Sequence, residues 1–76
     1  MNFLSTETKL ASLGMTPREL EILELIAAGL SNKEIAERVF VSENTVKTHL
    51  GRVFGKLGAR RRTQAVQLGK ELRLIP

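Results

Sequence analysis

An all-α fold is what this 76-residue sequence predicts, and three observations carry it. Twice a hydroxyl residue stands three positions before a glutamate: Thr16 before Glu19 and Ser31 before Glu34. This is the capping-box spacing that starts a helix. Apolar residues then recur three and four apart, the period of a helix with one buried side. No sustained alternation and no Asn-Gly or Asp-Gly pair is present, so nothing suggests a strand or hairpin.

Four short helices follow in order. The first starts at Thr16-Pro17, with proline at the first helical position, runs through Leu20, Ile22, Leu23, Leu25, Ile26 and Ala27, and stops at Gly29. The second is capped by Ser31 and turns Ile35, Ala36 and Val39 inward. Ser42 caps a third only three residues after Val39, and a connection that short predicts a helix-turn-helix over about residues 31–51, with Val41 plugging the corner. The third spans about Glu43 to Leu57, burying Val46, Leu50, Val53, Phe54 and Leu57, and ends at Gly58. The fourth spans about Arg62 to Arg73 with Ala65, Val66, Leu68, Gly69 and Leu72. Residues 1–14 carry only Phe3, Leu4, Leu10 and Leu13 and read as an arm or linker before a domain at 15–76.

A chain this small buries only about 60 % of its unfolded surface and has no room for a deep pocket. With no cysteine and one histidine, a metal site is not expected, nor any cofactor or small-molecule ligand. Charges interrupt every apolar stretch, which excludes a membrane span, and the start lacks the pattern of a signal peptide; both point to the cytoplasm. The net charge of +4 is unevenly distributed. Residues 1–46 hold four basic residues against seven glutamates, net −3, whereas residues 47–76 hold eight against Glu71 alone, net +7. A basic face within one small domain meets nucleic acid or an acidic surface.

The third helix shows which residues form that face. At about 100° per residue, Asn44, Thr48, Gly51, Arg52 and Gly55 lie opposite the buried stripe, with Lys47 and His49 on the shoulders. The face holds donors and acceptors, no carboxylate and no bulky apolar group. Each of its two glycines costs about 1 kcal/mol relative to alanine, which makes sense where a groove must approach closely. His49 has no nucleophile or orienting acid at helical spacing, so catalysis is not expected. Entry of this helix into a major groove is. Lys47 suits guanine and the Thr48 methyl suits thymine. Thr45, Arg52 and Lys56, with the helix starts capped by Ser31 and Ser42, suit phosphates.

The stretches "TPRELEIL", "GLSNKEIA", "SENTVKTHL" and "KLGARRRTQAV" resemble, in order and spacing, the LuxR-type helix-turn-helix domain of bacterial transcription regulators, over about Met15 to Arg73. The resemblance implies a tri-helical core plus a C-terminal dimerisation helix, and sequence-specific binding of double-stranded operator DNA. It places Lys47, Thr48 and Gly51 at bases, and Ser31, Asn32, Lys33 and Thr45 at phosphates, beside which Ser42, Asn44, His49, Arg52, Lys56 and Arg61 are assigned to the DNA backbone. Thr63, Val66, Gln67 and Lys70 would flank a two-fold axis, giving a homodimer, and RNA polymerase is a further implied partner at the nucleoid. Two features depart from the family pattern. Gly51 stands where many relatives carry a polar or basic reader, which shifts weight to shape readout. "ARRR" (Ala59 to Arg62) is more basic than the usual linker, which raises non-specific affinity. A pairing helix with only Val66 and Gly69 to bury implies a dimer that forms on DNA.

Two rivals remain at this point. A sigma-factor region 4 also contains a helix-turn-helix, but the extension into a fourth helix favours the LuxR-type reading. A protein-interaction module would want an aromatic or leucine anchor on the outer face, and none is there. The chain is expected to be a stand-alone regulator or the output domain of a longer one.

Overall fold

The computed structural model describes residues 5–76, and these form five helices in order: α1 (Thr6–Leu13), α2 (Pro17–Ala27), α3 (Asn32–Val39), α4 (Glu43–Leu57) and α5 (Arg62–Glu71). The last four are the predicted helices, and α4 has the predicted bounds. Both capping boxes are closed in full: the Glu19 N–H donates to Thr16 Oγ1 at 3.1 Å and the Thr16 N–H to Glu19 Oε1 at 2.9 Å. Ser31 and Glu34 repeat the exchange at 3.2 and 2.8 Å.

Helix α1 occupies what the sequence reading treated as an arm. Ser5 caps it by accepting the Thr8 N–H at 3.2 Å, and Gly14, at φ 70°, ends it. Eight residues do not hold a helix in water by themselves. The buried Leu10 and Met15, joined by a Met15 N–H to Leu10 O bond of 2.8 Å, tie this one to the core. Phe3 and Leu4, named as part of the arm, lie outside the described residues.

The helix ends share one device, a left-handed residue followed by an N–H that reaches back to a carbonyl one turn earlier. Gly29 and Gly58 supply it for α2 and α4, as expected. After α3 it is supplied by Phe40, at φ 61° and ψ 47°, a residue 92 % exposed. A side chain in this conformation costs about 1–2 kcal/mol. The turn still forms, because the Val41 N–H bonds Ala36 O at 3.1 Å and Val41 packs half-buried at the predicted corner.

The core gathers Ile22 and Leu23 of α2, Ile35 of α3, Val46 and Val53 of α4 and Ala65 of α5. Helix α4 packs against α2, α3 and α5, so three neighbours cover one side of it and leave the other bare. The C-terminus departs from expectation. Helix α5 stops at Glu71, Arg73 takes φ 58°, and the chain folds back so that the Leu74 N–H bonds Gly69 O at 2.9 Å. Leu74 and Ile75 are thereby buried, whereas Leu72, counted among the apolar residues of the fourth helix, is 42 % exposed. Gly69, counted on the pairing face, belongs to the interior. A Cβ there would lie 3.0 Å from Leu23 Cδ2 and 3.2 Å from Ile75 Cδ1, so its lack of a side chain lets α5 approach α2.

Replacing Phe40 with glycine removes the backbone strain and gives up almost no burial. Phe40→Gly is expected to raise unfolding free energy by about 0.5–1 kcal/mol in urea titrations; a loss of stability would show that the exposed ring makes contacts worth more than the strain.

Candidate nucleic-acid interface

The bare side of α4 carries the residues that the helical period placed there. Asn44, Lys47, Thr48, Gly51, Arg52 and Gly55 are exposed, and Thr45 and His49 are half-buried. The Thr48 hydroxyl donates back to Asn44 O at 3.1 Å, which leaves its methyl as the part not tied to the helix. At Gly51 and Gly55 an added Cβ would meet nothing within 4 Å. Packing inside this chain therefore gives no reason for either glycine. The Nδ1 atom of His49 is enclosed without a hydrogen-bond partner among the described residues, so only its other ring nitrogen is available to a ligand.

Two helix starts flank this face. At α3 the capping box engages the N–H groups of Ser31 and Glu34, leaving those of Asn32 and Lys33 unbonded among the described residues. At α4 the Ser42 Oγ accepts the Thr45 N–H at 3.1 Å and shares a hydrogen bond of 2.9 Å with the Thr45 hydroxyl. Free N–H groups and the positive end of the helix dipole favour an anion at such a place. Lys33 and Lys47 are exposed nearby, and Arg60 and Arg61 are exposed before α5. Thr63, Gln67 and Lys70 are exposed along α5, with Val66 half-buried beside them. Among the described residues no three His, Asp or Glu side chains gather to hold a metal ion.

Two long-range contacts hold the face, and sequence reading missed both. Lys56, assigned to a phosphate, donates its Nζ to Glu19 Oε1 at 2.6 Å, so its ammonium is paired within the chain. Glu19 is buried at 2 % exposure. Burial pushes its carboxyl up, but the Lys56 hydrogen bond, the Thr16 N–H and the charges of Lys56 and Arg52 outweigh burial and hold it below its ordinary value. Glu34 is also lowered, by its bonds to the backbone and hydroxyl of Ser31. The second contact is made by Arg62, whose guanidinium donates to Leu30 O at 3.1 Å and to Asn32 Oδ1. Neither pairing has a local signal, since the partners lie 37 residues apart in the first and 32 and 30 in the second. The one hint was a basic linker ending at Arg62.

A tri-helical core that bares one side of its longest helix, free of carboxylates and edged by cations, defines a DNA-binding helix-turn-helix domain of the kind found in transcription regulators. Residues 13–68 match the luxR family of bacterial regulatory proteins, and the chain belongs to that family. It is 47 % identical over 60 residues to the DNA-binding transcriptional activator DevR/DosR of Mycobacterium tuberculosis, covering 79 % of this chain and 28 % of that one. It is 53 % identical over 62 residues to the CsgBAC operon transcriptional regulatory protein of Escherichia coli, covering 82 % and 27 %. Among solved structures, the response regulator ChrA of a heme-sensing two-component system superposes with a TM-score of 0.77 at 38 % identity, over 91 % of this chain and 37 % of that one. The chain thus spans about a quarter of the length of these curated relatives. The family is one of transcription regulators, not an enzyme class.

Because Glu19 is lowered in the folded state, its contribution to stability is complete above its ordinary value of 4.5 and is lost as pH falls through the lower folded value. Stability is therefore expected to fall with pH below that point. Lys56→Met should cost about 2–3 kcal/mol at neutral pH by leaving a buried carboxylate unpaired. It should also flatten the acid limb of a plot of stability against pH. An unchanged limb would show that other carboxylates carry the acid sensitivity.

Proposed function

We propose that this domain binds double-stranded DNA sequence-specifically in a bacterial transcription regulator, with α4 in the major groove. The observation that carries the reading is the outer face of α4: exposed, without a carboxylate, and opened by two glycines that its own fold does not require. Lys47 and Thr48 read base edges, and Gly51 lets the backbone come close to them. Ser31, Asn32, Lys33, Ser42, Asn44, Thr45, His49, Arg52 and Arg61 follow the phosphates. Two copies pair through Thr63, Val66, Gln67 and Lys70 on operator half-sites. The exposure of three of these, with Gly69 turned inward, supports a polar and weak pairing surface that DNA completes. As a regulator domain it works at the nucleoid in the cytoplasm, with RNA polymerase a downstream partner. No helix among the described residues is long and apolar enough to cross a membrane.

The direct test is selection of bound duplexes from a random DNA pool at near-physiological salt. Enrichment of an inverted repeat with half-sites about one helical turn apart is expected. Binding without enrichment would reduce the domain to an electrostatic binder, and no binding would refute the reading. On the selected site, Lys47→Ala should cost about 1–3 kcal/mol and relax specificity, whereas a loss uniform across sequences would make Lys47 a phosphate contact. Arg61→Ala should lower the salt slope by about one, and an unchanged slope would remove Arg61 from the interface.

Gly51→Ala separates stability from binding. It should stabilise the free domain by about 0.5–1 kcal/mol while weakening operator binding. Binding equal to or tighter than wild type would show that close approach is not needed there.

A further inference from the structure

Arg62, the first residue of α5, spans the interval to the turn between α2 and α3 and bonds two acceptors there, the Leu30 carbonyl at 3.1 Å and the Asn32 side-chain oxygen. We propose that Arg62 is a positioning residue for the DNA backbone contact, orienting the Asn32 amide so that its NH₂ group faces a phosphate. This rests on the DNA-binding reading above.

The argument is one of donors and acceptors. An asparagine amide has an acceptor end and a donor end, and free in solution it flips between them. A guanidinium has only donors, so it can hold only Oδ1. Once Oδ1 is held, Nδ2 is the part of Asn32 left for another partner. A phosphate offers only acceptors and so takes this orientation and rejects the flipped one. Asn32 is also the first residue of α3, where the N–H groups of Asn32 and Lys33 are unbonded among the described residues. Ser31, Asn32, Lys33 and Arg62 share the wall of one open cleft, which Glu43 also lines. A phosphate at this edge would meet the Nδ2 group, two backbone donors and Lys33 together, with the amide already oriented and its rotamer entropy already lost. The bond to Leu30 O fixes the turn that carries Ser31 and Asn32, so the phosphate-binding end of α3 is anchored to α5, the helix that pairs two copies.

The test is a double-mutant cycle on a mixed-sequence duplex of about two helical turns at low salt, read by fluorescence anisotropy. Arg62→Lys keeps the charge but replaces the planar fork with a single ammonium. In the wild-type background it should weaken binding about fivefold, and in the Asn32→Ala background less than about twofold. Equal weakening in both backgrounds would overturn the proposal and make Arg62 an independent contact, and no weakening in either would overturn it by removing Arg62 from binding altogether. A second variant does not depend on the fold tolerating a change at Arg62. Asn32→Asp keeps an acceptor for the guanidinium and removes the NH₂ donor, so it should leave thermal stability unchanged or higher while weakening binding more than tenfold. Wild-type affinity in Asn32→Asp would overturn the proposal. Failure of the wild-type domain to bind any duplex would instead remove the DNA-binding reading and this inference with it, a result distinct from binding without coupling between the two residues.

Discussion

The buried carboxylate of Glu19 meets two demands at once. As the third residue of α2 it closes the cap by accepting the Thr16 N–H, and across the core it accepts the Lys56 ammonium of α4. A charge at 2 % exposure is tolerable only when it is paired, and here Oε1 receives both the N–H and the ammonium. Unlike apolar contacts, which slide, this pairing has a preferred geometry. It sets how far along α4 the start of α2 sits. The apolar period of α4 chooses the side that is buried, and this pair holds that side against α2.

Electrostatics and packing cooperate in presenting the face. The apolar stripe of α4 is used up against α2, α3 and α5, so the remaining surface is polar by elimination. Apart from Lys56, which Glu19 holds, its cations have no ion-pair partner among the described residues, since most glutamates lie in the first half of the chain. Tight helix ends keep the turns short. Phe40 shows that the geometry of the turn into α4 outranks residue preference, because a phenylalanine is held left-handed there with its ring in solvent.

What escaped the sequence reading shares one physical character. Helix α1 has only Leu10 and Leu13 on its apolar side, too few to register as periodic, and its stability comes from contacts made after folding. Leu74 and Ile75 follow a helix end with no glycine to mark it, so the reversal at Arg73 had no local sign. Gly69, which the sequence puts on the pairing face, meets Leu23 and Ile75 only once α5 has docked and the chain has folded back. Lys56 read as a free cation because its partner lies 37 residues away.

The sequence by itself determined the last four helices and the face. Capping boxes at Thr16 and Ser31, stops at Gly29 and Gly58, and the period of Val46, Leu50 and Val53 are local codes, written within a turn or two of the backbone they govern. Only the tertiary structure decided which polar groups of that surface are free to act. Lys56 is taken by Glu19, and the Asn32 amide is turned by Arg62, while the glycines at 51 and 55 are left open. Helical spacing ranks neighbours only along one helix. Hydrogen bonds between helices depend on which segments the core brings side by side, and that is set by packing.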